Sequence, residues 1–223
     1  IFRPFERLLA FRYLRARRKE GFVSVIAIFS LLGIFLGVGT LIVVLSVMSG
    51  FRVELMNRIL GIQSHMTLYG ISKPITGYDD LAARVRAVQG VQDAMPEIDG
   101  QVMIVQNNQG TGVLVKGLSG EDIQRRKLIA ENIVEGSLAD FQGEDNVMLG
   151  RRLADRFNLR VGDSVTLIAP QFTVTTIGSV PRIKTYRIVA LFEVGMFEYD
   201  SNFVFMPLDA AQLLFRLPDQ VNA

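Results

Sequence analysis

His65 is the single histidine of a 223-residue chain that contains no cysteine. One imidazole cannot complete a zinc site, and without thiols there is no cysteine nucleophile and no disulfide. The remaining candidate for chemistry is an acidic group, Glu193, Glu198 and Asp200, within FEVGMFEYDSN. Paired carboxylates do acid–base work when they flank a substrate. Here they fall between two strand-like runs and read as decoration of the turn that joins them, and His65 reads as structural. No G-x-S-x-G elbow marks a serine nucleophile and no Walker A motif marks a nucleotide site. The residue types supply no catalytic set, no metal site and no cofactor site, so the chain is expected not to be an enzyme.

What the sequence does offer is a stretch that looks misplaced: IAPQFTVTTIGSVPRIK, from Ile168. Pro170 and Pro181 bracket the β-formers Phe172, Val174, Ile177 and Val180. A proline lacks the N–H that a ladder needs, so the bracket confines the stretch to a sheet edge or expels it from the sheet. From the residues alone two readings stand. The stretch is a flap over the domain's own sheet edge, or it is an apolar surface kept for a partner.

The elements that would position it begin with a membrane segment. Gly21 to Phe51 carries no charged residue, and the chain's mean hydropathy is +0.31. About 20 apolar residues cross the hydrocarbon, so this run predicts a transmembrane helix over 21–51. A signal peptide has a shorter apolar core followed by a small-residue cleavage site. Arg3, Arg7, Arg12, Arg15, Arg17, Arg18 and Lys19 precede the span, against only Glu6 and Glu20. Such asymmetry puts the N-terminus in the cytoplasm. Residues 1–20 read as an amphipathic interfacial arm, with Phe5, Leu8, Leu9 and Tyr13 on one face. The charge excess sits in that arm, and the formal net charge is only +2, which argues against a nucleic-acid partner. Gly33 and Gly37 form a small-xxx-small pair for close helix packing. Val44, Val47 and Met48 are candidates for contact with protein or acyl chains. The sequence starts at Ile1, so it is expected to be a piece of a longer chain.

After the span the helix is expected to continue as a stalk through FRVELMNRILGI. Then come a strand at HMTLYG, a helix over 77–88, a strand at VQDAMPEI and a hairpin of QVMIVQ and GVLVKGL. A helix is expected over much of EDIQRRKLIAENIVEG. NVMLG, VGDSVTLIAP, TYRIVALFEV and NFVFMPL read as strands, and RRLADRFN and DAAQLLF as helices. The alternation indicates α+β or α/β with mixed sheets. A subdomain boundary is expected near 117–121.

Three segments carry a resemblance. GIFLGVGTLIVVLSVMSGF with RVELMNRILGI is similar to the first transmembrane helix and stalk of lipoprotein-releasing ABC transporter permeases, part of the wider MacB-like superfamily. VMLGRRLADRFNLRVGDSVTL resembles the LG-x-x-LA-x-x-x-x-L-x-VGD-x-V-x-L signature of that superfamily's outer domains. YRIVALFEVGMFEYDSNFVFMPLDAAQLL resembles the segment that follows it in lipoprotein-releasing members. The resemblance implies an α+β fold: arm 1–20, transmembrane helix 21–51, stalk and incomplete membrane-proximal periplasmic subdomain 52–117, and distal subdomain 118–223.

It also implies partners and a site. Such permeases work as two membrane subunits, identical or different, with two cytoplasmic ATPase subunits that hydrolyse the ATP. They lift lipoproteins from the outer leaflet of the bacterial inner membrane and pass them to a soluble periplasmic carrier. In the carrier-recruiting subunit a hairpin hook lies between two prolines beside a basic pad. The hook maps here to Pro170, Gln171, Phe172, Thr173, Val174, Thr175, Thr176, Ile177, Gly178, Ser179, Val180 and Pro181. The pad maps to Lys184, with Arg182 as an added charge, while Ile183 departs from the polar residue expected there. An efflux permease of the same superfamily, docking a periplasmic adaptor, is the alternative, and a single-pass sensor or scaffold is a third.

Overall fold

The computed structural model describes Phe5, Leu9 and residues 21–71, 73–106, 109–175 and 178–223; the side chains of 21–24, 57–62 and 171–180 fall outside it. The arm 1–20 therefore lies outside the described residues, except for Phe5 and Leu9, both exposed. The chain divides into two compact units, Ile1–Asn57 and Arg58–Ala223.

Helix α1, Gly21–Ile62, joins the expected span and stalk in one element of 42 residues. At 1.5 Å per residue it is about 63 Å long, roughly twice the ~30 Å of a bilayer's hydrocarbon. Its stretch Val25–Met56 is long and apolar enough to cross a membrane. Thr40, inside that stretch, satisfies its hydroxyl by donating to the Leu36 carbonyl at 2.8 Å.

In the second unit a short strand β1, Ile75–Thr76, precedes helix α2, Tyr78–Arg86. Asp79 and Asp80 occupy the first turn of α2 and Arg84 and Arg86 the last, each sign complementing the helix dipole. Strands β2, Ile98–Gln106, and β3, Gln109–Leu118, form the expected hairpin. Helices α3, Gly120–Arg125, and α4, Lys127–Ala130, lead to β4, Ile133–Gly136. Then follow β5, Asn146–Gly150; α5, Arg151–Phe157; β6, Ser164–Thr175; and β7, Gly178–Phe192. Helix α6, Phe197–Asn202, β8, Phe203–Pro207, α7, Leu208–Phe215, and β9, Gln220–Val221, complete the order.

The main sheet has the order β4-β7-β5-β8-β3-β2-β6, and β6 also pairs with β7, so the ladder closes into a ring. Strand alternation decides the sides. Val102 and Ile104 of β2, Val113 and Val115 of β3, and Val165 and Leu167 of β6 are buried in one cluster, which α5 and α7 cover with Leu153, Phe157, Leu214 and Phe215. Met148, Phe192, Phe203 and Phe205 face a second cluster, closed by Ile123, Ile129, Phe141 and Tyr199. Pairs β3–β8 and β5–β7 are parallel and the others in the ring antiparallel. The fold is α+β.

Four expectations are corrected. His65–Gly70 forms no strand, because no neighbour pairs with it, and Met66, Leu68 and Tyr69 stay exposed. The strand expected over 91–98 starts only at Ile98. The stretch before it is irregular: Pro96 has no N–H to give a ladder, and Glu97 makes only an isolated backbone pair with Ala223. The helix expected over 121–136 breaks at Arg126, whose ψ of 78° leaves the helical region, and its last residues turn into β4. The boundary between subdomains 52–117 and 118–223 does not divide two bodies. β3 runs across it and pairs with β2 on one edge and β8 on the other, so a single sheet spans both sides.

A candidate docking hairpin

The strands β6 and β7 are longer than the sheet that holds them. They pair from Ser164↔Arg187 to Ala169↔Arg182, skip Pro170 and Gln171, and resume from Phe172↔Pro181 to Thr175↔Gly178. β2 accompanies β6 only at 166–168, and β5 accompanies β7 only from Arg187 onward. Residues 170–175 and 178–181 thus form a two-stranded ribbon with no third strand among the described residues. Pro170 sits in the bulge, where its missing N–H costs no ladder bond. The prolines do not end the strands; they mark where the ribbon leaves the ring. Thr176 and Ile177 lie outside the described residues, as do the side chains of 171–180.

At the foot of the ribbon, register aligns Met103 of β2 with Ile168 of β6, and Ile168 with Ile183 of β7. Met103 is 49% and Ile183 58% exposed, so the root of the hairpin carries an open apolar row. The two expected pad cations behave differently. Lys184 donates to the Glu144 carbonyl at 2.9 Å, pairs with Asp145 at 3.0 Å and stands 5.1 Å from the Tyr186 ring centre. It is engaged by its own domain. Arg182, half-buried, makes no ion pair among the described residues.

Beneath Lys184, Tyr186 is buried, and its hydroxyl has no partner among the described residues. Burial pushes its pKa up to about 12; Arg182 opposes the shift and Asp145 adds to it. An unpaired buried hydroxyl costs about 1–3 kcal/mol. Tyr186→Phe is therefore expected to leave stability unchanged or raise it by about 1 kcal/mol. A urea titration checks this, and a clear loss would show a hidden partner for the hydroxyl.

The acidic group does not converge. Glu193 and Glu198 are exposed, whereas Asp200 is buried and accepts from the backbone N–H groups of Val194 (2.8 Å) and Gly195 (3.1 Å). Burial raises the Asp200 pKa and those donors pull it back. Asp200 ties the turn after β7 to α6, so the group is more than decoration, but its carboxylate is consumed by backbone. His65 is exposed. Among the described residues no group of three His, Cys, Asp or Glu side chains is placed to hold a metal. In α1, Val44, Val47 and Met48 are exposed, and a Cβ at Gly33 or Gly37 would meet nothing within 4 Å.

The MacB-like periplasmic core domain family matches residues 27–223. The lipoprotein-releasing system transmembrane protein LolC of Neisseria meningitidis serogroup B is 32% identical over 97% of this chain and 52% of its own length. The LolE protein of Haemophilus influenzae is 28% identical over 96% of this chain and 52% of its own. The periplasmic region of MacB from Actinobacillus actinomycetemcomitans is similar at a TM-score of 0.45 and 11% identity, covering 68% of this chain and 64% of that one. The chain spans about half the length of the curated relatives it matches. With the family match reaching from inside α1 to the last residue, the chain belongs to the MacB-like periplasmic core domain family, as a sequence of the LolC/LolE type.

Proposed function

We propose that this chain is part of a permease subunit that lifts lipoproteins from the outer leaflet of the inner membrane and hands them to a periplasmic carrier through the hairpin 170–181. The observation that carries the reading is the ribbon itself: two strands prolonged past their sheet, between two prolines, with the apolar row Met103–Ile168–Ile183 at its root. A ribbon without a third strand has both edges free, and an apolar partner is what an apolar root suits. The names of the LolC and LolE relatives support lipoprotein release over export to an adaptor. The N-terminus lies in the cytoplasm, the unit Arg58–Ala223 in the periplasm, and a separate ATPase subunit supplies the energy. A second permease subunit packs against α1 at Gly33 and Gly37, and Val44, Val47 and Met48 meet lipid or acyl chains. Arg182 is the pad charge left for the carrier, and Lys184 shapes the pad from below.

The test is release from spheroplasts holding the intact transporter, with a radiolabelled lipoprotein and purified carrier added outside. ATP-dependent appearance of the lipoprotein in a soluble carrier complex is expected, and depletion of this protein should abolish it. Unchanged release on depletion, together with altered drug sensitivity, would replace this reading with the efflux one.

A further inference from the structure

Four ionisable side chains meet where the chain enters the sheet. Glu97 is 3% exposed, Lys116 7% and Arg126 7%. Lys116 Nζ reaches Glu97 Oε1 at 3.0 Å and Asp99 Oδ1 at 2.7 Å, and Arg126 Nη2 donates to Glu97 Oε2. Two cations and two carboxylates balance. Burial pushes Glu97 up, but Arg126 and Lys116 outweigh it and hold the carboxyl below its ordinary value. Asp99 is raised by its burial and by the charge on Glu97, with Lys116 opposing.

The same spot gathers segments of chain far apart in sequence. Glu97 and Ala223 exchange both backbone hydrogen bonds, at 3.0 and 3.1 Å. Asp99 N–H donates to Asn222 Oδ1 at 2.8 Å, and Asn222 Nδ2 donates to the Asp99 carbonyl at 2.7 Å. One step earlier, Ile75 pairs with Val221 and Thr76 with Gln220. Residues 220–223 are thus held by 75–76 and by 97–99. Ile98 and Asp99 already lie in β2, paired with Gly117 and Lys116 of β3, and the charges tie Glu97, just before β2, to β3 through Lys116 and to the α3–α4 junction through Arg126.

Stability alone does not account for such a cluster. Replacing a buried ion pair or triad with apolar side chains of similar volume is often neutral or stabilising. What charge-assisted hydrogen bonds add is direction, since each pair has one geometry, where an apolar contact can slide. We infer that Glu97, Lys116, Arg126 and Asp99 form a rigid junction that fixes Glu97, where the chain enters β2, and with it residues 220–223 to β3 and the α3–α4 junction, so that motion arriving along residues 63–97 moves the ring and its hairpin as one body. The coupling role rests on the transport reading above; the junction itself does not.

The experiment uses the full-length protein in its membrane assembly and compares Glu97→Leu/Asp99→Asn/Lys116→Met/Arg126→Met, which removes both cations and both carboxylates, with wild type. Melting temperature, hydrogen exchange over 97–99 and 220–223, carrier binding and lipoprotein release are read together. The melting temperature should hold within a few degrees, exchange over those segments should rise about tenfold or more, and release should fall about tenfold with carrier binding unchanged. A folded variant with wild-type exchange and wild-type release overturns the inference. If the quadruple variant does not fold, Glu97→Gln decides by the same exchange readout, and no local increase there overturns the junction. Absence of release from wild type would instead fail the transport reading, leaving the exchange result to judge the junction.

Discussion

A chain in which Ala169 is joined to Arg182 through Asn-Gly is expected to fold as before and to lose carrier binding by about 100-fold or more, which at ~1.4 kcal/mol per tenfold is close to 3 kcal/mol. The geometry makes the excision clean. Ala169 and Arg182 are direct register partners, so a two-residue turn can close the hairpin at that pair. Asn-Gly suits the type I′ turn that such a closure needs. Everything removed lies beyond the last third-strand contact of β6 at Ile168 and the first of β7 at Arg187. The cluster inside the ring takes Val165, Leu167 and Ala169 from β6 and Tyr186, Ile188 and Leu191 from β7, all of which the excised chain keeps. The melting temperature should therefore stay within about 3 °C, since no third strand is unpaired by the excision. Binding is read by calorimetry with purified carrier and release by the spheroplast assay. Retention of full carrier binding in the excised chain would end the docking role of the ribbon. A drop in melting temperature beyond about 10 °C would mean that the ribbon covers its own domain instead.

The sequence made this hairpin visible for a local reason. Prolines are punctuation that no tertiary contact can erase, and two of them around β-formers mark a strand pair leaving a sheet. The β2–β3 hairpin and the helix after NVMLG were equally legible, because alternation and turn residues act over neighbouring positions. HMTLYG failed because a strand exists only with a partner, and β-propensity says nothing about whether one arrives. The sheet that draws strands from both sides of residue 118 was hidden for a related reason: the parallel pairing of β3 with β8 joins Leu114 to Phe203, far apart in the chain.

Charge was least legible. Lys116, in a strand, and Arg126, in a basic run, look solvent-facing when read in sequence, and nothing near either names Glu97 as a partner. The partners of Lys184 were not legible either, because Glu144 and Asp145, which engage it, come from a loop some forty positions earlier. Asp200 is the opposite case. Its acidic neighbours suggested an exposed turn, whereas its nearest partners are the N–H groups of Val194 and Gly195, close in sequence but hidden by the turn's geometry.

Gly150→Ala is expected to destabilise the domain by about 3 kcal/mol or more, at the upper end for overpacking. Backbone conformation is not the cause: φ of −64° and ψ of 141° suit alanine. The cause is proximity. A Cβ at Gly150 would stand 2.6 Å from the carbonyl carbon and 2.8 Å from the Cα of Asp200, closer still to its oxygen, and main chain cannot swing aside as a flexible side chain can. Gly150 ends β5, pairs with Phe192 of β7 and caps α5. Relief would have to come from α6, which carries Asp200. Moving α6 pulls Tyr199 from Phe203, now 4.7 Å between ring centres, and strains the two hydrogen bonds that Asp200 accepts from the turn. At about 2–4 °C per kcal/mol for a domain of this size, the melting temperature should fall by about 6–12 °C. Gly112→Ala is the control, since a Cβ there meets nothing within 4 Å; it should change the melting temperature by less than about 3 °C. Equal, small effects at both positions would mean that α6 yields freely, and the close approach of β5 to α6 would then not be what holds this side of the sheet together.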